Sequence, residues 1–464
     1  MGRRGGTFGR RDLLRAAGAV AASSVACGEG DPAMPGPQRI LFITADDLGW
    51  KDLSSAGNPN LATPNLDRLL AGGVSFERAF DVTSTCASSR TTYATGQYPH
   101  THGVTALVHR MPELSLPPGT PTLASHLRDA GYLTGIEGKF HLAFPTGAEE
   151  YGYDDVRTSL LAQKITDTEE TLDFLRVHAD EPWFFEVNYM NPHRNGLGEF
   201  QQHEDHPVDP AAIVIPATMR VPDVEGAREE IAAYYSQVER MDAMIGEVVA
   251  ELEALGQLDD TLVVFISDNG SPFPQNKLSL YDRGTGTPLF FHWPAALPAG
   301  VSRTELVSSV DLMPTILELA EVPIPDDVEG ASRRSLLAAT APGAPVAPGA
   351  VFGEMTRHIG PLFPMRSVRT DRYRYVRNYS AAPIPLEGDD QPWVQEVLAD
   401  LPADLTWGEP RVPEELYDLE SDPHESTNLL EAGEEPAALA ELRTLLDEHM
   451  ARTADPYLGQ PFES

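Results

Sequence analysis

Residues 40–47, ILFITADD, decide the fold. A near-continuous apolar run that ends in two aspartates reads as a short strand covered on both faces, with its polar end at the edge of a sheet. WFFEVNYMNPHR (183–194) and LVVFISDNG (262–270) repeat the design. Helical patterns lie between them. TPNLDRLLAGG predicts a helix with Thr63 as N-cap, Pro64 at its first position and Gly closing it, and TPTLASHLRDAG predicts the same layout. TDTEETLDFLRVHA carries a capping box from Thr166 to Glu169, and a longer helix fits EGAREEIAAYYSQVERMDAMIGEVVAELEALG. Strands alternating with helices predict an α/β fold, a sheet sandwiched by helices.

In such sheets ligands collect outside the carboxyl ends of the strands. Asp46, Asp47, Asn191, His193, Asp268 and Asn269 are therefore expected in one site although they are far apart in sequence. Three carboxylates do not crowd together ionised without a cation, and hard oxygen donors with no thiolate favour Ca²⁺ or Mg²⁺ over zinc. Either pair alone is as readily a turn. Their place at the ends of two central strands is what points to a metal. DVTSTCASSRTTYATG (81–96) reads as a turn entering a helix, with Ser88 or Ser89 near its start and Gly96 near its end. A helix start and Arg90 both stabilise negative charge beside Cys86. GKFH adds Lys139 and His141, NPHR adds His193 and Arg194, and NKL adds Lys277. A metal, cations and imidazoles around an anion pocket describe phosphate or sulfate ester chemistry.

The chain has 464 residues and a formal net charge of −36, which excludes nucleic acid as a partner class. It has no apolar run of membrane-spanning length. Its lysines are only Lys51, Lys139, Lys164 and Lys277, and two of them fall in the motifs above. Residues 1–37 begin MGRRGGTFGRRDLLRAAGAVAASSVAC, with a basic start, the pair Arg10-Arg11 and a short Ala-rich stretch. This predicts a twin-arginine export signal and linker, handled by the twin-arginine machinery, and a periplasmic or cell-surface location. SVAC resembles a lipobox, which makes Cys27 the expected acylation site and membrane tether. Cys86 then has no partner within the chain and is either a buried inert thiol or a reactive one. A catalytic domain is expected over 38–340, closing in the Pro/Ala/Gly linker AATAPGAPVAPGA. A smaller domain over 341–464 follows, with strands in VFGEM, MRSVRT and YRYVRNY and helices near 393–400 and 435–452.

Cys86-Ala87-Ser88-Ser89-Arg90 with Thr95-Gly96 resembles the C-x-P-S-R and T-G signature of the sulfatases, within the alkaline-phosphatase superfamily. Ser88 stands where that family has Pro or Ala, a position its maturation machinery reads. ATPNLDRLL is general to sulfatases, whereas SDNGSPFPQNKLSLYDRGTGTPL, FPMRSVRTDRYRYVRN and EELYDLESDPHESTNL resemble the sulfamidase branch. The similarity runs from about residue 39 over most of the chain. It implies an alkaline-phosphatase-like large mixed sheet sandwiched by helices, with a smaller C-terminal α+β domain carrying an antiparallel sheet. It also implies that a formylglycine-generating enzyme oxidises Cys86 to formylglycine, an aldehyde hydrated to a diol. On that resemblance Asp46, Asp47, Asp268, Asn269 and the side chain at 86 bind Ca²⁺, and Arg90 and Lys139 support the diol. Lys277 and His193 hold the sulfuryl group and protonate the leaving nitrogen, while His141 helps deprotonate the remaining hydroxyl.

The expected substrate is the N-sulfated glucosamine of heparin- or heparan-type glycans. Arg194, His358 in TRHIG and Arg366 in FPMRSV are the expected sugar contacts, and a homodimer the expected assembly. Rival expectations are an O-sulfatase on another glycan, a phosphomonoesterase or phosphonate hydrolase on the same scaffold, and a surface lipoprotein that binds sulfated glycans without cleaving them.

Overall fold

The computed structural model describes residues 36–158, 168–338, 349–402, 405–434 and 436–464. The expectations for the export segment, Cys27, Thr166, Lys164 and most of the Pro/Ala/Gly linker lie outside these residues. In chain order the first sheet is built from β1 (Arg39–Asp46), β2 (Val74–Phe80), β3 (Leu133–Gly138), β4 (Asp155–Thr158), β5 (Trp183–Pro192), β6 (Thr261–Ser267), β7 (Leu289–His292) and β8 (Val301–Ser308). Their order in space is β4-β3-β5-β1-β6-β7-β2-β8. Only β7 runs antiparallel to its neighbours, so the sheet is mixed as expected. The second sheet, wholly antiparallel, takes β9 (Ala350–Met355), β10 (Met365–Thr370), β11 (Tyr373–Asn378) and β12 (Glu414–Asp418) in the order β12-β11-β10-β9. Residues Gly36–Ser464, which hold both sheets, make one compact unit.

Burial explains the composition of the central strands. Every residue of β6, and every residue of β1 after Arg39, is buried, because helices cover both faces and leave no solvent side on which to place polar residues. The helix Glu225–Ala254 supplies much of one cover. Its Ile231, Tyr234, Val238, Met241, Ile245 and Leu252 recur at three- or four-residue spacing, or multiples of it, and pack in the same core cluster as Leu41, Ile43, Phe185 and Phe265. Burying one such side chain stabilises the fold by about 1.5–3 kcal/mol.

Two caps differ from expectation. Thr63 occupies the N-cap position of the helix Pro64–Ala71, yet its hydroxyl contacts Ser54 and Asp67 instead of the helix start. The free amides of Asn65 and Leu66 donate to Asp242 of the long helix, at 3.2 and 2.8 Å. A cap lent by another helix leaves no local signature in sequence. The second helix begins later than its Thr-Pro motif suggests: Leu123–Asp129 is capped by Thr122 in a capping box with Ser125.

The ends of β1, β5 and β6 lie side by side, as the register requires. Thr44 faces Asn188 in β5 and Ala45 faces Ser267 in β6, so Asp46, Asn191 and Asp268 leave the sheet at one edge. Asp47 then takes a left-handed φ of 71°, an unfavourable region for a side chain with a Cβ, and turns the chain out of the strand. The second sheet is tied to the first through Asp282, which accepts from Arg369 on β10 and Arg374 on β11. Burial raises the Asp282 carboxyl, but the two guanidinium groups outweigh it and bring it down to about 2.

Candidate active site

Cys86 is the first residue of the helix Cys86–Thr95, which is buried along its whole length. A helix so rich in hydroxyls survives burial because Thr91, Thr92 and Thr95 each donate to the carbonyl four residues back. Gly96 closes the helix with a left-handed φ of 68°. The thiol side chain is 2% exposed, and burial pushes it up to about 11, so as a thiol it is a poor nucleophile at neutral pH.

One turn further on, Arg90 points the same way as Cys86. Its Nε donates to Asp268 Oδ2 at 2.8 Å and its Nη1 to Thr44 Oγ1 at 2.9 Å, while Nη2 lies 3.6 Å from Asp46 Oδ2. Lys139, just past the end of β3, donates to the same Asp46 oxygen. Lys277 Nζ lies 2.7 Å from Asp47 Oδ1, and Asn269 Nδ2 donates to that oxygen at 2.7 Å. Gln275 and Leu278, on either side of Lys277, both hold left-handed φ values, at 60° and 71°. The loop that presents Lys277 is thus locally strained, as loops at functional sites often are.

Charge balance in this cluster is uneven. Burial raises the Asp46 carboxyl, but Lys139, His193, Arg90 and Lys277 outweigh it and hold the group well below the ordinary carboxylate range. Burial and the neighbouring Asp46 raise Asp268 despite Arg90. For Lys277 the carboxylates of Asp47 and Glu387 overcome burial and hold the ammonium charged.

Oxygen atoms of Asp46 and Asp268 and the sulfur of Cys86 all lie within 4.8 Å of one another, and atoms of Asp46, Asp47 and His193 form a second such group. Asp46 Oδ1 and Asn269 Oδ1 are buried without a hydrogen-bond partner. Unpartnered buried oxygens are costly, and here they sit in a set of hard donors. The donor set therefore fits a divalent cation of the calcium or magnesium kind.

Outside this cluster opens a cavity of about 460 Å³, lined by Cys86, Lys139, His141, His193, Lys277 and His358 among others. His193 is 29% exposed, with Nε2 3.7 Å from Asp47 Oδ2 and Nδ1 2.6 Å from the carbonyl of Arg194. His141 Nε2 meets His109 Nδ1 at 3.0 Å, and its Nδ1 is buried without a partner. Burial and then Lys139 and His109 push His141 well below the ordinary imidazole range. His358 Nδ1 pairs with Thr85 Oγ1 at 2.8 Å, beside the start of the Cys86 helix. The pocket is cationic against the field of an acidic chain, which suits an anionic ligand.

The expected sugar contacts Arg194 and Arg366 are placed differently, and Arg194 keeps Nε and Nη2 without a hydrogen-bond partner. Arg194 lines the cavity, but its guanidinium pairs with Glu230 and lies 4.1 Å over the Phe200 ring. Arg366 does not line it. That side chain is 2% exposed and binds Asp455 with two nitrogens, at 2.5 and 3.1 Å, and the carbonyls of Met355 and Met365. An arginine on an inner strand of a small sheet is held by its own neighbours, and a motif alone does not reveal which face it takes. Sequence reasoning missed His109, Arg110 and Glu387, which also line the cavity. All three sit in turns or loops, and the short run Ala106-Leu107-Val108 before His109 and Arg110 forms no strand of the sheet.

A family model described as sulfatase matches residues 38–322, and one described as the C-terminal part of N-sulphoglucosamine sulphohydrolase matches 275–384. The chain is 32% identical over 474 residues to the N-sulphoglucosamine sulphohydrolase of Homo sapiens, covering 92% of each. It is 26% identical over 471 residues to an ulvan-active sulfatase of Formosa agariphila, covering 91% of this chain and 76% of that one. A solved structure of a protein in complex with its substrate D-glucosamine-2-N,6-O-disulfate superposes with a TM-score of 0.68 at 20% identity, covering 91% of this chain and 99% of that one.

Proposed function

The chain belongs to the sulfatase family, and from that premise we propose that it is a calcium- and formylglycine-dependent hydrolase of N-sulfated glucosamine at the end of heparin- or heparan-type glycans. The observation that carries this reading is the meeting of Cys86, Asp46 and Asp268 within 4.8 Å, beside the unpartnered oxygens of Asp46 and Asn269. Similarity to a glucosamine N-sulfate hydrolase over nearly the whole chain, including its C-terminal part, supports the choice of sugar.

Asp46, Asp47, Asp268 and Asn269 would hold the cation, which supplies Lewis-acid polarisation of a sulfuryl oxygen. Formylglycine at position 86 would supply a hydrated aldehyde, one hydroxyl to attack sulfur and a second whose deprotonation expels sulfate. Arg90 and Lys139, both directed at Asp46, orient the side chain at 86 and offset the charge that builds there. Lys277 and His193 flank Asp47 and reach the cavity, where they hold the sulfuryl group. His193, the more exposed, protonates the departing nitrogen. His141, held neutral by its surroundings, has an open Nδ1 with which to take a proton. The twin-arginine start supports export of the enzyme, with Cys27 as its tether.

Mass spectrometry of the peptide spanning Cys86, together with sulfate release from glucosamine N-sulfate and glucosamine 6-O-sulfate, tests the reading. Formylglycine and release from the N-sulfate are expected. An intact thiol in protein from the native host, or release from the 6-O-sulfate alone, overturns it.

A further inference from the structure

We propose that Glu387 recognises the nitrogen of a sulfamate, accepting the N–H of the scissile group and then pairing with the amine that leaves. The proposal rests on the sulfamate reading above and concerns how the pocket tells nitrogen from oxygen. Sulfamates and sulfate esters share the sulfuryl group and differ in the bridging atom. The sulfamate nitrogen carries a hydrogen and leaves as an amine that becomes cationic, whereas the ester oxygen carries none and leaves as a neutral alcohol. Cations that grip the sulfuryl oxygens cannot separate the two. A selective pocket needs an acceptor near the bridging atom.

Glu387 is placed for that task. Among the described residues the cavity is lined by two acids, Glu199 and Glu387. Glu387 Oε1 lies 3.8 Å from Lys277 Nζ and 3.7 Å from His358 Nε2, so it borders the cations that face the sulfuryl group. Both distances exceed a hydrogen bond, and the side chain is 20% exposed towards the cavity that Cys86 shares. Its acceptor lone pairs are therefore available to a ligand.

A carboxylate in an anion pocket repels the anion unless it meets a donor or a cation on the same ligand. It also disfavours a second sulfate or a uronate at that spot, which adds selectivity by exclusion. The segment that carries it is fixed. Gly388 takes a left-handed φ of 71°, and Arg194 Nη2 would sit 2.9 Å from any Cβ there. Gln391 Nε2 donates to Gly198 O at 3.0 Å and holds the same segment to the loop that follows His193.

In the reaction the S–N bond breaks and its electron pair goes to nitrogen, which gains a proton from His193. The sulfuryl group passes to a hydroxyl oxygen at position 86, whose O–H bond breaks and releases its proton to solvent as the S–O bond forms. The amine so formed takes a second proton from solvent, and the ammonium pairs with Glu387. A carboxylate hydrogen-bonded to a charged donor contributes enough that its loss weakens binding about 10- to 100-fold.

The test compares wild-type holoenzyme with Glu387→Gln and Glu387→Ala in three measurements. These are kcat/KM on glucosamine N-sulfate, competitive inhibition by inorganic sulfate, and calorimetric affinity for D-glucosamine against N-acetyl-D-glucosamine. Turnover of the sulfamate is expected to fall about 10- to 100-fold, with inhibition by sulfate unchanged or tighter. Affinity for glucosamine should fall by a similar factor and that for N-acetylglucosamine should not. Parallel losses in sulfamate turnover and sulfate inhibition, with glucosamine affinity unmoved, would mean that Glu387 only positions Lys277 and His358, and overturn the proposal. Variants that match wild type overturn it too. Wild-type protein inert towards the sulfamate overturns the substrate reading and this proposal together, whereas wild-type turnover with kcat/KM and glucosamine affinity unmoved in the variants overturns this proposal alone.

Discussion

Arg90 and Asp268 form an ion pair in which Nε donates to Oδ2 at 2.8 Å, with both side chains at most 1% exposed. A buried pair that loses one member leaves the other charge without compensation, which costs about 3–5 kcal/mol. Arg90→Ala should therefore unfold at markedly lower denaturant, besides losing turnover. Denaturant titration by circular dichroism checks this, and a variant within about 1 kcal/mol of wild type would contradict it.

Cys86→Ala should abolish sulfate release and leave calcium affinity within about threefold of wild type, because four oxygen-bearing ligand residues remain. Calorimetric titration of calcium alongside an activity assay separates the two effects. Turnover that survives the substitution would move the nucleophile elsewhere.

Calcium binding should raise the unfolding midpoint of the protein. A ligand that binds only the folded state stabilises it by about 2.7 kcal/mol at a hundredfold excess over Kd. Asp46→Asn should remove most of that response, since Asp46 belongs to both of the donor groups around the site. A thermal shift equal in the two proteins would place the cation outside this cluster.

The pH dependence of stability should carry a contribution from His100, which does not line the cavity. Burial lowers its affinity for protons, but the hydrogen bond to Glu354 at 2.5 Å and the charges of Glu354 and Asp455 outweigh burial and raise it. A histidine whose folded-state pKa lies above its unfolded value contributes stability that is complete below the unfolded value, near 6.5, and is lost as pH rises through the folded one. The difference in unfolding free energy between wild type and His100→Gln should therefore shrink as pH rises above about 6.5. Parallel stability curves above that pH would refute the assignment.

Much of the site was legible because it stands where continuous apolar runs end. Asp46, Asp47, Asp268, Asn269 and His193 follow buried strands whose parallel pairing brings their ends together. Cys86 and Arg90 were legible through helical spacing. What pairs at long range was not. The strand Glu414–Asp418 edges the second sheet, yet EELYD has neither the length nor the alternation to announce it. Asp242 caps a helix 177 residues away from it in sequence, and nothing near Thr63 reveals that partner. Arg366 misled because its motif fixes the strand and leaves open the face of its side chain.

The near-complete burial of Cys86 also bears on how the proposed conversion would be carried out. The finished fold offers position 86 only through the cavity it lines, so a bulky catalyst that oxidises this sulfur would reach it more easily on an extended chain. On the proposed formylglycine chemistry, folded protein that keeps the thiol is expected to lack turnover, which an assay of that form checks.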